Sequence, residues 1–212
     1  QKFDLVICTG TSSKMWLANK KPLEDKRKIK NLTDNLKLIE AEKFVLISTC
    51  EIYGNKKNCI ENNNKIQSTN TNYGLNRYLL EKFIEKKFKN HFILRLPIVY
   101  GKNFKKNCIY DLINNNEVHK LNGSDLIQIY NVKNLKDHIK YVIKNNIKQL
   151  NISSKPIKLG VISKKFFNIK LINKTKYRKI NLKSIHGNYK GYFLSQSKTL
   201  KDLNSFLKKE NL

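Results

Sequence analysis

Short apolar runs alternate with longer stretches of helical periodicity along most of this chain. Phe3-Asp4-Leu5-Val6-Ile7-Cys8 is a run that stops at Thr9-Gly10, which reads as a buried parallel strand and the loop that follows it. Pro22 opens a helical stretch whose apolar stripe is Leu32, Leu36 and Ile39. Lys43 to Ser48 encloses Phe-Val-Leu-Ile, a second buried strand. Tyr73 to Phe88 has helical spacing, with Leu75, Leu79, Phe83 and Ile84 predicted to face inward. Phe92 to Leu96 is a third strand, stopped by Pro97. A short helix over Asn107–Asn114, a strand over Leu126–Tyr130, an amphipathic helix over Leu135–Ile147 and a strand over Gln149–Ile152 follow. The apolar side of that amphipathic helix is Leu135, Ile139, Val142 and Ile143. Helices over Lys158–Phe167 and Leu200–Leu207 complete the pattern. Residues 55–70 are polar and read as a surface loop, and residues 168–194 carry no assignable period.

Strands that alternate with helices of this length predict an α/β fold on a parallel sheet. In such sheets ligands bind beyond the carboxyl ends of the strands. Three segments fall there: Ser48-Thr49-Cys50-Glu51-Ile52-Tyr53-Gly54 after the second strand, Tyr73-Gly74-Leu75-Asn76-Arg77 opening the next helix, and Arg95 through Gly101 around the third strand's end.

Composition narrows this only in part. At 212 residues and 40% hydrophobic, the chain can bury a sizeable core. No run of about 18 apolar residues marks a membrane span, and no signal-type segment is legible. The net charge of +27 admits two readings, a binder of nucleic acid or another polyanion, or a Lys- and Asn-rich background that fills every exposed position. Only four arginines occur, and the lysines are spread along the whole length, which favours the second reading, so no specific nucleic-acid partner is expected. Cys8, Cys50, Cys59 and Cys108 form no C-x-x-C pair and have no His at metal-ligand spacing, which fits a reduced, cytoplasmic setting without a metal.

The ordered marks at the three strand ends carry more. A strand-end hydroxyl, Thr49, precedes Tyr53-Gly54; Tyr73 opens a helix; Arg95 leads into Val99-Tyr100-Gly101; Tyr130-Asn131-Val132 and Leu150-Asn151-Ile152 follow in order. This set resembles the extended short-chain dehydrogenase/reductases, the NAD-dependent epimerase/dehydratase family. The resemblance implies a Rossmann-like sheet with a small C-terminal substrate-side lobe, built as one domain over 1–212. Residues 1–100 and 133–153 would form the core, and 102–132 and 154–212 the lobe. It implies hydride transfer with NAD or NADP, with Tyr73 as general acid/base, Thr49 binding the reacting oxygen, and Arg77 where the family keeps a Lys. Thr9, Gly10, Asn31, Arg77, Pro97 and Ile98 would face the cofactor. Glu51, Lys106 and Asn107 would join Thr49 on the substrate side. Glu51 is also open to a surface role, and Cys50 reads as a small buried residue rather than a nucleophile.

The chain departs from the family pattern at four places. The glycine-rich turn and first βαβ unit would precede Gln1, and a first residue other than Met points to a fragment or a processed chain. Arg77 keeps a charge beside Tyr73, and so can still lower its pKa, but cannot relay a proton. Cys50 stands where sugar dehydratases have Asp. Ile98 and Ile127 stand where nucleotide-sugar enzymes hold the pyrophosphate. The expected activity is therefore an oxidoreductase or epimerase acting on a sugar-like alcohol or ketone, nucleotide-linked or not, in the manner of surface-polysaccharide enzymes, with a homodimer as the expected assembly. The alternative is a catalytically inactive Rossmann-like fragment serving as an interaction domain.

Overall fold

A computed structural model describes residues 1–54, 57–62 and 71–210. In chain order the elements are β1 (Lys2–Cys8), α1 (Met15–Lys20), α2 (Pro22–Lys37), β2 (Glu40–Thr49), β3 (Lys57–Cys59), α3 (Asn72–Lys87), β4 (His91–Leu96), β5 (Ile98–Tyr100) and α4 (Cys108–Ile113). They continue as β6 (Leu126–Ile127), β7 (Ile129–Asn131), α5 (Leu135–Lys144), β8 (Gln149–Asn151), β9 (Ile157–Lys158), α6 (Leu159–Phe167), β10 (Asn181–Leu182) and α7 (Gln196–Lys209). They fall into two compact units. One comprises Gln1–Lys56, Glu61–Leu96 and Asp137–Asn151, the other Lys57–Ile60, Pro97–Lys136 and Ile152–Leu212.

The first unit is an α/β layer structure on a four-stranded sheet in the order β1-β2-β4-β8, with every pair parallel. β2 and β4 are buried on both faces, as their continuous apolar runs require. Ile29 and Leu36 from α2 pack with Leu80 and Ile84 from α3 over Phe44, Leu46 and Ile93, and Phe88 stacks on Phe44 at 4.1 Å. This is the parallel α/β sheet that the apolar pattern predicts, with the Rossmann-like layering that the resemblance implies.

Two expectations about burial need correction. β1 is an edge strand, not a buried one: Phe3, Leu5 and Ile7 are 41%, 44% and 47% exposed, and only Cys8 is buried. Its sole strand neighbour among the described residues is β2. On α3 the inward face is Tyr73, Gly74, Asn76, Arg77, Leu80, Glu81 and Ile84, while Leu79 points outward at 46% exposure. Three buried polar residues displace the leucines from the stripe, because their partners lie inside the unit.

The second unit is built around Tyr100, Ile109, Leu112, Ile127, Ile129, Leu159, Ile162, Leu203 and Leu207. β5 pairs with β7 in parallel, β6 with β9 antiparallel, and β10 with β3 in parallel. Residues 57–59 and 181–182, read as loop and unassigned from sequence, are therefore short strands of one ladder. Residues 55–56 and 63–70 of the predicted loop lie outside the described residues.

Candidate active site at the carboxyl end of β2

The site grows from the way β2 ends and α3 begins. Thr49 is the last residue of β2, and its Oγ1 accepts the Glu51 amide at 3.2 Å, capping a single 3₁₀ turn over Cys50–Ile52. That turn lies directly against the first turn of α3. A Cβ on Gly74 would come within 2.1 Å of the Glu51 carbonyl oxygen, so only glycine permits the approach. The Thr71 hydroxyl accepts the Gly74 amide at 3.1 Å, and Asn19 Oδ1 accepts the Tyr73 amide at 3.0 Å. Two of the amides that a helix start leaves without intrahelical partners are thus satisfied by side chains, which holds Tyr73 at a defined height beside Thr49's turn.

Tyr73 is buried, and the Arg77 guanidinium sits 4.0 Å from its ring centroid. Arg77 is itself only 2% exposed and forms a salt bridge with Asp25 of α2, which is 5% exposed. Its Nη2 donates to the Ser12 carbonyl at 2.7 Å, and Asn76 Nδ2 donates to Asp25 at 2.8 Å. Arg77 Nε has no hydrogen-bond partner among the described residues. Burial pushes the Tyr73 phenol above the usual tyrosine range; Arg77 pulls it down, and Glu51, Cys50 and Asp25 push it further up. The lowering expected from Arg77 operates, but burial outweighs it.

Beneath the site lies a second buried cluster. Arg95 binds Glu81 through Nη2 at 2.7 Å and through Nε, and donates to the Tyr53 hydroxyl at 2.8 Å. Ser48 donates to Glu81 at 2.5 Å, and Tyr53 donates to Asn151 at 3.0 Å. Glu61 accepts the Asn151 amide at 2.7 Å. These bonds tie the ends of β2, β4 and β8 to α3, so Thr49 rises from a rigid base.

Of the residues singled out from sequence, Thr49, Glu51, Tyr73 and Arg77 are brought together here. Thr9 and Gly10 are exposed at the carboxyl end of β1. Asn31 is exposed on α2; the α2 residue that reaches this cluster is Asp25. Pro97, Ile98, Lys106 and Asn107 belong to the second unit. Ile98 starts β5, Lys106 is exposed, and Asn107 caps α4 by accepting from Ile109 and Tyr110 while donating to the Val99 carbonyl at 2.7 Å. Its amide is fully engaged in local structure. Sequence reasoning missed Asp25, Asn19 and Ser12. A signal existed for Asp25, an acid on the α2 stripe four residues before Ile29. None existed for Asn19 or Ser12, whose partners lie 54 and 65 residues away. The described residues contain no cluster of His, Cys, Asp and Glu able to hold a metal, and no helix long and apolar enough to cross a membrane.

Known proteins show the same arrangement of elements. A dTDP-4-dehydrorhamnose reductase from Bacillus anthracis str. Ames, solved with NADP, superposes with a TM-score of 0.67 at 18% identity, over 84% of this chain and 71% of that one. A UDP-galactose 4-epimerase gives 0.71 at 15% identity over 98% and 78%. The UDP-glucose 4-epimerase of Thermotoga maritima, solved with UDP-glucose, gives 0.62 at 14% over 84% and 68%. At such identities the likeness establishes the fold. No curated protein matches by sequence. A family profile does, over residues 2–144, a span that holds β1, the Thr49 turn, the Tyr73 helix and the Arg95 strand, and by that match the chain belongs to the NAD dependent epimerase/dehydratase family.

Proposed function

We propose that the Thr49–Tyr73 pair is the reacting end of an NAD- or NADP-dependent oxidoreductase or epimerase for a sugar-like alcohol or ketone. The observation that supports this reading is the Gly74–Glu51 contact, which sets the turn after Thr49 directly against the helix turn that carries Tyr73. Nucleotide-linked sugars are the leading substrate class, because the structurally similar reductase and epimerases are named for them.

The donor set suits a nicotinamide cofactor at this corner. Arg77 Nε, close to the Tyr73 ring, is a buried donor without an acceptor among the described residues, which a ribose hydroxyl would satisfy. Thr9, Gly10 and Tyr73 would hold the same end of the cofactor, which supplies or accepts the hydride when bound. Thr49 Oγ1 would bind the reacting oxygen and hold it near the phenol. A phenol whose pKa is raised stays protonated at neutral pH, so Tyr73 is equipped to donate a proton to a carbonyl oxygen. In ketone reduction Tyr73 would therefore act as the proton donor. In the reverse direction the alcohol's proton must go to phenolate, so alcohol oxidation should rise with pH through the elevated phenol pKa.

The test is nicotinamide binding and turnover. NADH or NADPH should raise the melting temperature of the chain, and a 4-keto nucleotide sugar should oxidise the reduced cofactor. Tyr73→Phe should abolish the oxidation and keep the melting shift. Absence of any shift with either cofactor would reject the reading. A second reading, an inactive interaction domain, draws on the exposed apolar edge Phe3, Leu5 and Ile7 and on the neutralisation of Arg77 by Asp25. Binding of a partner chain along β1 without cofactor binding would favour it.

A further inference from the structure

Within the second unit, the start of α6 lies against the loop before β6, and a groove of about 680 Å³ opens between this helix and residues 170–173. The packing that forms it depends on two glycines. A Cβ on Gly160 would meet the Gly123 carbonyl oxygen at 3.0 Å, and one on Gly123 would meet Asn173 Oδ1 at 2.6 Å. The half-exposed Val161, the buried Leu171 and four lysines, Lys158, Lys164, Lys165 and Lys170, line it.

The charge of this groove is uncompensated. All four lysines are exposed, none has a carboxylate partner among the described residues, and no acidic residue lines the groove. Three of the four lysines of α2 contrast with them, since Lys28, Lys30 and Lys37 pair with Glu24 and Asp34 on their own helix. The nearest acid in the chain order of the floor, Asp125, turns to Arg178 and binds it through Oδ2 at 2.9 Å. The first amides of α6 are also engaged: Leu159 donates to the Asp125 carbonyl at 2.8 Å and Gly160 to the Gly123 carbonyl at 3.0 Å. The ammonium groups, not the helix start, therefore supply the positive field. Four ammonium groups lining one concavity favour a multiply charged anion over a monovalent one.

We propose that this groove binds a compact polyphosphate, two or more adjacent phosphoryl groups carried by inorganic pyrophosphate or by a nucleoside diphosphate. The volume lies inside the range of about 300–1,000 Å³ usual for small-ligand sites. Lysine is an effective point-charge partner for phosphate. The lining contains no arginine and no aromatic ring, the groups that stack and read nucleic-acid bases, so an oligonucleotide is the poorer fit. Val161 and Leu171 offer an apolar seat for a base or sugar beside the phosphates. None of these residues belongs to the Thr49–Tyr73 corner, so the site stands independently of the proposed oxidoreductase activity.

Calorimetric titration with inorganic pyrophosphate and with ADP tests it. Three proteins are compared: the wild-type chain, a K164E/K170E groove variant, and a K201E/K208E control that makes the same charge change on α7. All four substituted lysines are exposed, so folding should persist, and melting temperatures check it. Saturable binding is expected, weakened about tenfold or more in the groove variant and little changed in the control. Tighter binding of ADP than of pyrophosphate, removed by Val161→Asp, would identify a nucleotide as the natural source. Equal binding would identify pyrophosphate itself. Equal weakening in groove and control variants would overturn the proposal, because diffuse surface charge would then explain the binding. Failure of both ligands to bind while an RNA or DNA oligomer does would overturn it too.

Discussion

At the scale of single residues, buried charges that bind each other set the structure around Tyr73. Asp25 and Arg77 are both buried and bind each other, so removing one leaves the other unpaired in a poorly solvated place. Asp25→Asn should lower unfolding free energy by about 3–5 kcal/mol, read by urea denaturation. The same variant removes an anion that holds the Tyr73 phenol up, so that phenol should ionise at lower pH in an ultraviolet difference titration. Tyr53 supplies a second prediction. Burial, opposed by Arg95 and Asn151, pushes its phenol up to about 12. An unfolded tyrosine titrates near ~10, so the folded state binds this proton more tightly. The resulting stability is fully present below about pH 10 and is lost as pH rises through about 12, an effect of roughly 2–3 kcal/mol. Tyr53→Phe should flatten that alkaline limb. At neutral pH it should cost about 1–3 kcal/mol, because Arg95 and Asn151 lose a partner.

At the scale of elements, the decisive contact is between the 3₁₀ turn after β2 and the start of α3. Gly74→Ala would force the Glu51 carbonyl away from α3 and separate Thr49 from Tyr73. A loss of about 2–4 kcal/mol in stability is expected, with a larger relative loss of turnover than of cofactor binding. Thr71→Ala removes only the cap and should cost about 1 kcal/mol. The elements themselves were largely legible from the apolar pattern. β2 and β4 are buried on both faces, so their runs are continuous and unambiguous. The inward face of α3 was not legible, because Asn76, Arg77 and Glu81 occupy it and their partners come from α2, β2 and β4. Hydrophobic periodicity cannot anticipate a polar residue whose partner sits on another element, here 14 to 52 residues away. Likewise, the two-residue and three-residue ladders of the second unit are too short to show any period at all. The approach of Thr49's turn to the start of the Tyr73 helix was legible because its marks are local and ordered; the groove at α6 was not, because its lysines are indistinguishable in sequence from the many others.

At the scale of the whole molecule, neither compact unit is a continuous stretch of chain. The first needs β8 from residues 149–151 to complete its sheet beside β4, and the second begins with the short β3 and resumes at Pro97. A cut after Leu96 should therefore give a first piece that lacks Gln149 and Asn151 and does not fold, as a circular dichroism melt without a cooperative transition would show. β1 raises a separate matter of behaviour in solution. It presents seven residues of parallel edge with Phe3, Leu5 and Ile7 exposed, the arrangement that recruits other strands. Leu5→Lys should reduce concentration-dependent light scattering without changing the melting temperature by more than a degree or two, since Leu5 is already nearly half exposed. The discontinuity also has a consequence for synthesis. During translation at ~5–20 residues per second, β4 leaves the ribosome seconds before β8 does. Throughout that interval the β4 edge, with Arg95 still lacking Gln149, waits on a tethered nascent chain, which makes this the window in which a chaperone would matter most.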